Sequence, residues 1–153
     1  MADRKARRTD VPERILAVET FADPSYTCAF EIAAPATSTR SAEDWLRGIM
    51  EGAPRPMQWF ILAGWVTALR LRLGPRPSPD HVLGWKILSA SPTEIVIGVP
   101  GCLLSAHQVV EVQDGSAVHA TIVRYKRPAA RALWGMAAPI HIRTIPYLMD
   151  HTR

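Results

Sequence analysis

Two runs of alternating side chains flank the dipeptide Asp114-Gly115, and this arrangement constrains the chain more than any other stretch. Residues 102–113 and 116–126 alternate with the period of a half-buried strand. Asp-Gly between such runs is the residue pair of a two-residue type I′ hairpin, whose turn positions need φ > 0. Gln113 then sits opposite Ser116, and pairing outward from the turn assigns every side chain to a face. One face carries Leu104, Ala106, Gln108, Val110, Val112, Ala117, His119, Thr121, Val123 and Tyr125. With His119 neutral it bears no formal charge, so it is expected to lie against helices. The other face, with His107, Glu111 and Arg124 among Ser105, Val109, Val118, Ala120 and Ile122, is expected to meet water.

The covering element should be residues 127–151. Leu133, Met136, Ala137, Ile140, Thr144, Tyr147 and Leu148 recur there at spacings of three and four, the stripe of a long amphipathic helix. Pro128 suits a first turn. Pro139 predicts a kink or break, and Pro146 a loosened or terminated last turn. Before the hairpin, residues 81–90 and 94–99 read as two more strands. In these, Leu83, Trp85 and Ile87, and then Ile95, Ile97 and Val99, share a side. The fold class is therefore α+β: a curved antiparallel sheet wrapped around a long C-terminal helix.

Earlier in the chain, Tyr26, Cys28, Phe30 and Ile32 alternate in a first strand that Pro35 ends. Ser41 and Asp44 make a capping-box start to a short helix with Trp45, Leu46, Ile49 and Met50 on its apolar side, and Gly52 is its stop. A second helix is predicted from Pro56 to about Leu73. Trp59, Leu62, Val66, Leu69 and Leu73 form its buried stripe, and Ile61, Trp65 and Ala68 lie on a second apolar face. That second face is expected to be buried within the monomer or, alternatively, offered to a second copy or to lipid. Residues 1–18 read as a polar, disordered leader, and 19–153 as a single domain. The first ten residues carry four bases and two acids, half of the net charge of +4. Such a tail can touch phosphates, but its composition fits a solvated leader better.

No secretory signal follows the basic start, and the most apolar run, residues 59–69, is far short of the roughly 20 residues of a membrane span. A cytoplasmic protein with no integral membrane segment is expected, with Cys28 and Cys102 as buried free thiols. The five histidines have no metal-ligand spacing. Neither a phosphate loop, a nucleophile elbow nor a carboxylate pair stands out, so no metal, cofactor or nucleic-acid partner is predicted. Trp59, Trp85 and Trp134 fit core faces better than base-stacking platforms. His107 and His119 fall on opposite faces of the hairpin. His119 and His141 are weak candidates for a general base. The ordinary alternative is a satisfied core histidine for the first and a surface or capping histidine for the second.

The order strand, two helices, antiparallel strands, long helix resembles the START-like, polyketide-cyclase-like helix-grip (SRPBCC) superfamily. More narrowly, the chain resembles an uncharacterised bacterial family of small proteins in or near it. The stretches carrying the likeness are Asp23-Pro24-Ser25-Tyr26 leading into a strand, Thr121-Ile122-Val123-Arg124, and Pro139-Ile140-His141. The resemblance implies a cavity between sheet and helix. Three readings follow. The first is binding of a small apolar molecule (lipid, polyketide or isoprenoid), with Trp85, Gln108, His119, Thr121, Tyr125, Met136 and Ile140 as contacts. The second is a cyclase- or dehydratase-type enzyme using His119 or His141. The third is a filled-core interaction module, with a homodimer formed through Ile61, Trp65 and Ala68.

Overall fold

The computed structural model describes residues 5–18, 23–35 and 37–152. In order these form β1 (Arg7–Thr9), α1 (Glu13–Val18), β2 (Tyr26–Ala33), α2 (Ala42–Glu51) and α3 (Arg55–Ala63). A π-helical turn (Gly64–Ala68) continues α3. Then come β3 (His81–Val82), β4 (Trp85–Ala90), β5 (Glu94–Val99), β6 (Leu104–Gln113), β7 (Ser116–Tyr125) and α4 (Pro128–Asp150). The described strands make one 7-stranded antiparallel sheet in the order β1-β2-β7-β6-β5-β4-β3. It is an α+β helix-grip fold, a curved sheet with a long C-terminal helix across it.

The Asp114-Gly115 hairpin has the register its turn dictates: Gln113 faces Ser116, Gln108 faces Thr121, and Leu104 faces Tyr125. The uncharged face looks into the main core, where Leu104, Ala106, Val110, Ala117 and Val123 meet Trp45, Leu46 and Ile49 of α2. Ser41 caps α2 as predicted: its hydroxyl accepts from the Asp44 N–H at 3.1 Å, and the Asp44 carboxylate accepts from the Ser41 N–H at 3.0 Å.

The other face departs from expectation. Val109, Val118, Ala120 and Ile122 form a second, smaller buried cluster, closed by Ile15 of α1 at 0% exposure. Residues 7–18 thus carry a strand and a helix that lie on the sheet. β1 pairs with β2 through its backbone while Arg7 and Arg8 stay exposed, so a polar sequence still completes a ladder. Arg14 forms an ion pair with Glu111, and the Ala6 N–H donates to the Asp150 carboxylate at 2.6 Å, tying this arm to the far end of α4.

Three other predicted elements differ. The second helix stops at Ala68 rather than Leu73, because Arg70 turns to φ 55° and the following backbone is claimed by the β5–β6 connection. Leu71 bridges to Gly101, and the Arg72 N–H donates to Pro100 O at 2.9 Å. Residues 81–90 are two strands, since Leu83 (φ 47°) and Gly84 (φ 88°) make a two-residue turn that pairs Val82 with Trp85. A bulge between Ile87 and Ser89 then turns Leu88 outward.

α4 continues through Pro139 and Pro146, so neither proline breaks or ends the helix. Each proline forfeits one backbone hydrogen bond, and α4 is held instead by packing of Trp134, Ile145, Leu148 and Met149. Its buried stripe lies about one residue beyond the predicted one: Ala130, Trp134, Ala138, His141, Ile145 and Leu148 face inward. Met136, Ile140 and Tyr147 of the predicted stripe are exposed.

Candidate functional site

A pocket of about 260 Å³ lies between the concave sheet face, α3 with its π turn, and α4. Its floor is Trp85 of β4, Leu104, Ala106 and Gln108 of β6, and Thr121 of β7. These side chains converge because the hairpin register puts Gln108 directly opposite Thr121. One wall is Phe60, Ile61, Trp65 and Ala68; the other is Leu133, Trp134, Met136, Ala137, Ile140 and His141. Trp65 stands edge-on to Trp85 with ring centroids 5.3 Å apart, so the wall is joined to the floor by an aromatic contact. Phe60, Met136 and Ile140, at 63%, 69% and 51% exposure, form the rim toward solvent.

The lining is apolar apart from a few atoms. Among the described lining residues, Trp85 Nε1, Thr121 Oγ1, Trp134 Nε1 and His141 Nε2 are enclosed with no hydrogen-bond partner in the protein. Leaving such a group unpaired costs about 1–3 kcal/mol. The Thr121 hydroxyl lies against the Cys28 thiol, which also meets the Tyr26 hydroxyl. Burial raises the Cys28 thiol, and burial first and the thiol second raise Tyr26 to about 12. Gln108 Oε1 is 2.8 Å from His119 Nε2. With the carbonyl accepting from an Nε2–H tautomer, the Gln108 amide keeps its own N–H groups to donate.

Burial lowers His141 to about 4. His119 is lowered to about 3, chiefly by burial and then by His141. Both imidazoles are therefore neutral near pH 7. The His141 ring packs on Trp134, one helical face away in sequence, at 5.4 Å between centroids.

Of the seven predicted contacts, Trp85, Gln108, Thr121, Met136 and Ile140 line the pocket. His119 does not; it stands behind Gln108 and reaches the pocket only through that amide. Tyr125 is also outside it, half-buried at the far end of β7. Sharing a sheet face was not enough, because α4 and the π turn cover only part of that face. His141, predicted only as a weak catalytic candidate, lines the wall, as do Trp134 and Phe60, which the sequence reading did not assign to a site. Trp134 and His141 are seven residues apart, the spacing of one helix face, and this could have paired them. Ile61, Trp65 and Ala68, the predicted homodimer face, line the pocket of their own chain instead. Trp59, predicted in the core, is 72% exposed, and Cys102 is exposed rather than buried. Among the described residues, no three His, Cys, Asp or Glu side chains converge as a metal site would require. No described helix is long and apolar enough to cross a membrane.

Two solved structures are similar to this chain. One is an uncharacterised protein from Rhizobium leguminosarum, 16% identical over 82% of this chain and 94% of its own, with a TM-score of 0.34. The other is CalU16 from Micromonospora echinospora, 10% identical over 98% of this chain and 94% of its own, with a TM-score of 0.31. Both likenesses are too distant to bear on function. No protein-family model matches the chain, and no curated protein does.

Proposed function

We propose that this protein binds a small, mainly apolar molecule held between the sheet, the π turn and α4. The observation that carries this reading is a pocket of about 260 Å³ whose lining is almost wholly apolar, with Gln108, Thr121, His141 and Thr144 as its few polar side chains. At about 260 Å³ the pocket lies just below the usual range of small-molecule sites, roughly 300–1,000 Å³. That size suits a compact ring system or a short acyl or isoprenoid chain rather than a whole lipid. The histidines favour binding over acid–base catalysis: His119 is engaged by Gln108 and set back from the pocket, and His141 has no side-chain hydrogen-bond partner to relay a proton.

The test combines extraction and titration. Purified protein is denatured, extracted with organic solvent and examined by mass spectrometry. In parallel the neutral apolar dye phenylnaphthylamine is titrated into the emptied protein. Ala137→Trp fills the space from the α4 wall and is expected to abolish dye binding while circular dichroism stays unchanged. Dye binding that is the same in the wild type and Ala137→Trp would refute the proposal.

A further inference from the structure

The helices that frame the pocket leave large apolar side chains uncovered. Neither α3 nor the π turn buries a single residue. Trp59 is 72% exposed, Phe60 63% and Val66 49%, and across the pocket mouth Met136 is 69% and Ile140 51% exposed. Phe60, Met136 and Ile140 line one opening, and Trp59 and Val66 lie outside it on the same helical segment as Phe60. A cluster of this kind marks an interaction surface.

The charged side chains nearest the patch in sequence are basic. None of the chain's 14 acidic residues falls between Gly52 and Pro79, the segment that contains α3, or between Gly115 and Met149, which holds all of α4 except its last residue, Asp150. Every charged residue in both is basic. Arg55 precedes Trp59 by four positions and Arg143 follows Ile140 by three, so each arginine shares a helix face with an exposed apolar group. Arg70 and Arg131, also exposed, stand at the other ends of the two uncharged stretches.

We infer that this face docks on an anionic lipid bilayer, with Trp59, Phe60, Met136 and Ile140 entering the interface and Arg55, Arg70, Arg131 and Arg143 meeting lipid phosphates. Exposed aromatics ringed by basic residues are the make-up of a surface-lying membrane contact, with the apolar groups reaching about 5–10 Å into the boundary between headgroups and acyl chains. A second copy of the chain is a poor occupant, because face-to-face pairing would bring the arginines together. The inference rests on the proposed ligand pocket for its purpose: the mouth would be pressed against the leaflet, and an apolar ligand would enter from the bilayer without crossing water.

The experiment is co-sedimentation with vesicles of phosphatidylcholine alone or mixed with phosphatidylglycerol. Wild-type protein is expected to sediment with the mixed vesicles, less with phosphatidylcholine alone, and less again at high salt. Arg143→Gln should lower apparent affinity roughly fivefold, the effect of one cation near an anionic surface. Trp59→Glu should abolish sedimentation yet leave phenylnaphthylamine uptake intact, because Trp59 does not line the pocket. Wild-type protein that takes up dye but ignores mixed vesicles overturns the docking and leaves the pocket standing. Vesicle binding alongside dye uptake that Ala137→Trp does not change removes the pocket and leaves the docking. Sedimentation that survives Trp59→Glu overturns the docking. So does a concentration-dependent doubling of mass, abolished by that variant, without vesicle binding.

Discussion

Mild acid should unfold this protein, because three histidines are buried in the neutral form. His107 on the outer sheet face is lowered to about 4 by burial, His141 to about 4 by the same cause, and His119 to about 3 by burial and then by His141. In the unfolded chain each returns to about 6.5. The unfolded state then binds more protons than the native state between these values, so stability rises with pH across the window. It is fully present above about 6.5 and is lost as pH falls toward about 4. At about pH 5 each histidine withholds about 2 kcal/mol, and the three together about 6 kcal/mol, the whole stability of many domains. The assay is urea unfolding followed by tryptophan fluorescence at successive pH values. The steepest stretch should show close to three protons, about 4 kcal/mol per pH unit. His119→Asn should remove about one of them. Asp44 acts in a separate, lower window. Its carboxylate is lowered by hydrogen bonds from the Ser41 N–H and hydroxyl, so its contribution is present above its ordinary value and disappears below it. Stability that is level between about pH 7 and pH 5, or histidine resonances titrating near their ordinary value, would refute the reasoning.

Two further expectations concern the scaffold. Ile15→Ala should cost about 3 kcal/mol in urea unfolding, the loss of a buried Ile side chain; a cost within about 0.5 kcal/mol, as for an exposed site, would mean α1 does not pack on the outer face in solution. Ser41→Ala should cost about 1 kcal/mol through loss of the α2 cap and leave dye binding unchanged, which the same titrations would read.

The hairpin was legible because Asp114-Gly115 leaves little choice of turn, and a turn of fixed length fixes every pair beyond it. That register placed Gln108 and Thr121 side by side before any helix was positioned. The face of α4 was not legible. No residue between Arg131 and Arg143 is charged, so apolar spacing does not favour one stripe over its neighbour, and the sheet selects Trp134, His141 and Ile145. Trp59 misled for a related reason: α3 packs on the core through Met57, Ile61 and Leu62, leaving its other apolar side uncovered. The turn at Leu83-Gly84 carries an unfavoured residue at φ 47°, so turn chemistry gave no warning of it. In the arm of residues 7–18, polar side chains hid a backbone that pairs and a single isoleucine that seals a cluster.

β2 takes its long partner from the far end of the sequence: Tyr26 pairs with Val123, and Ala33 with Ser116. The meander from β3 to β7 can close through successive turns between neighbours, while β2 must wait for β7 to exist. On the ribosome, and in refolding, the meander is therefore expected to gain structure first, with β2 and the arm that pairs with it docking late. Until then β2 carries Phe30 and Ile32 uncovered beside an unpaired backbone. Its vulnerability to joining a strand of another nascent chain lasts as long as the synthesis of the residues that separate it from β7.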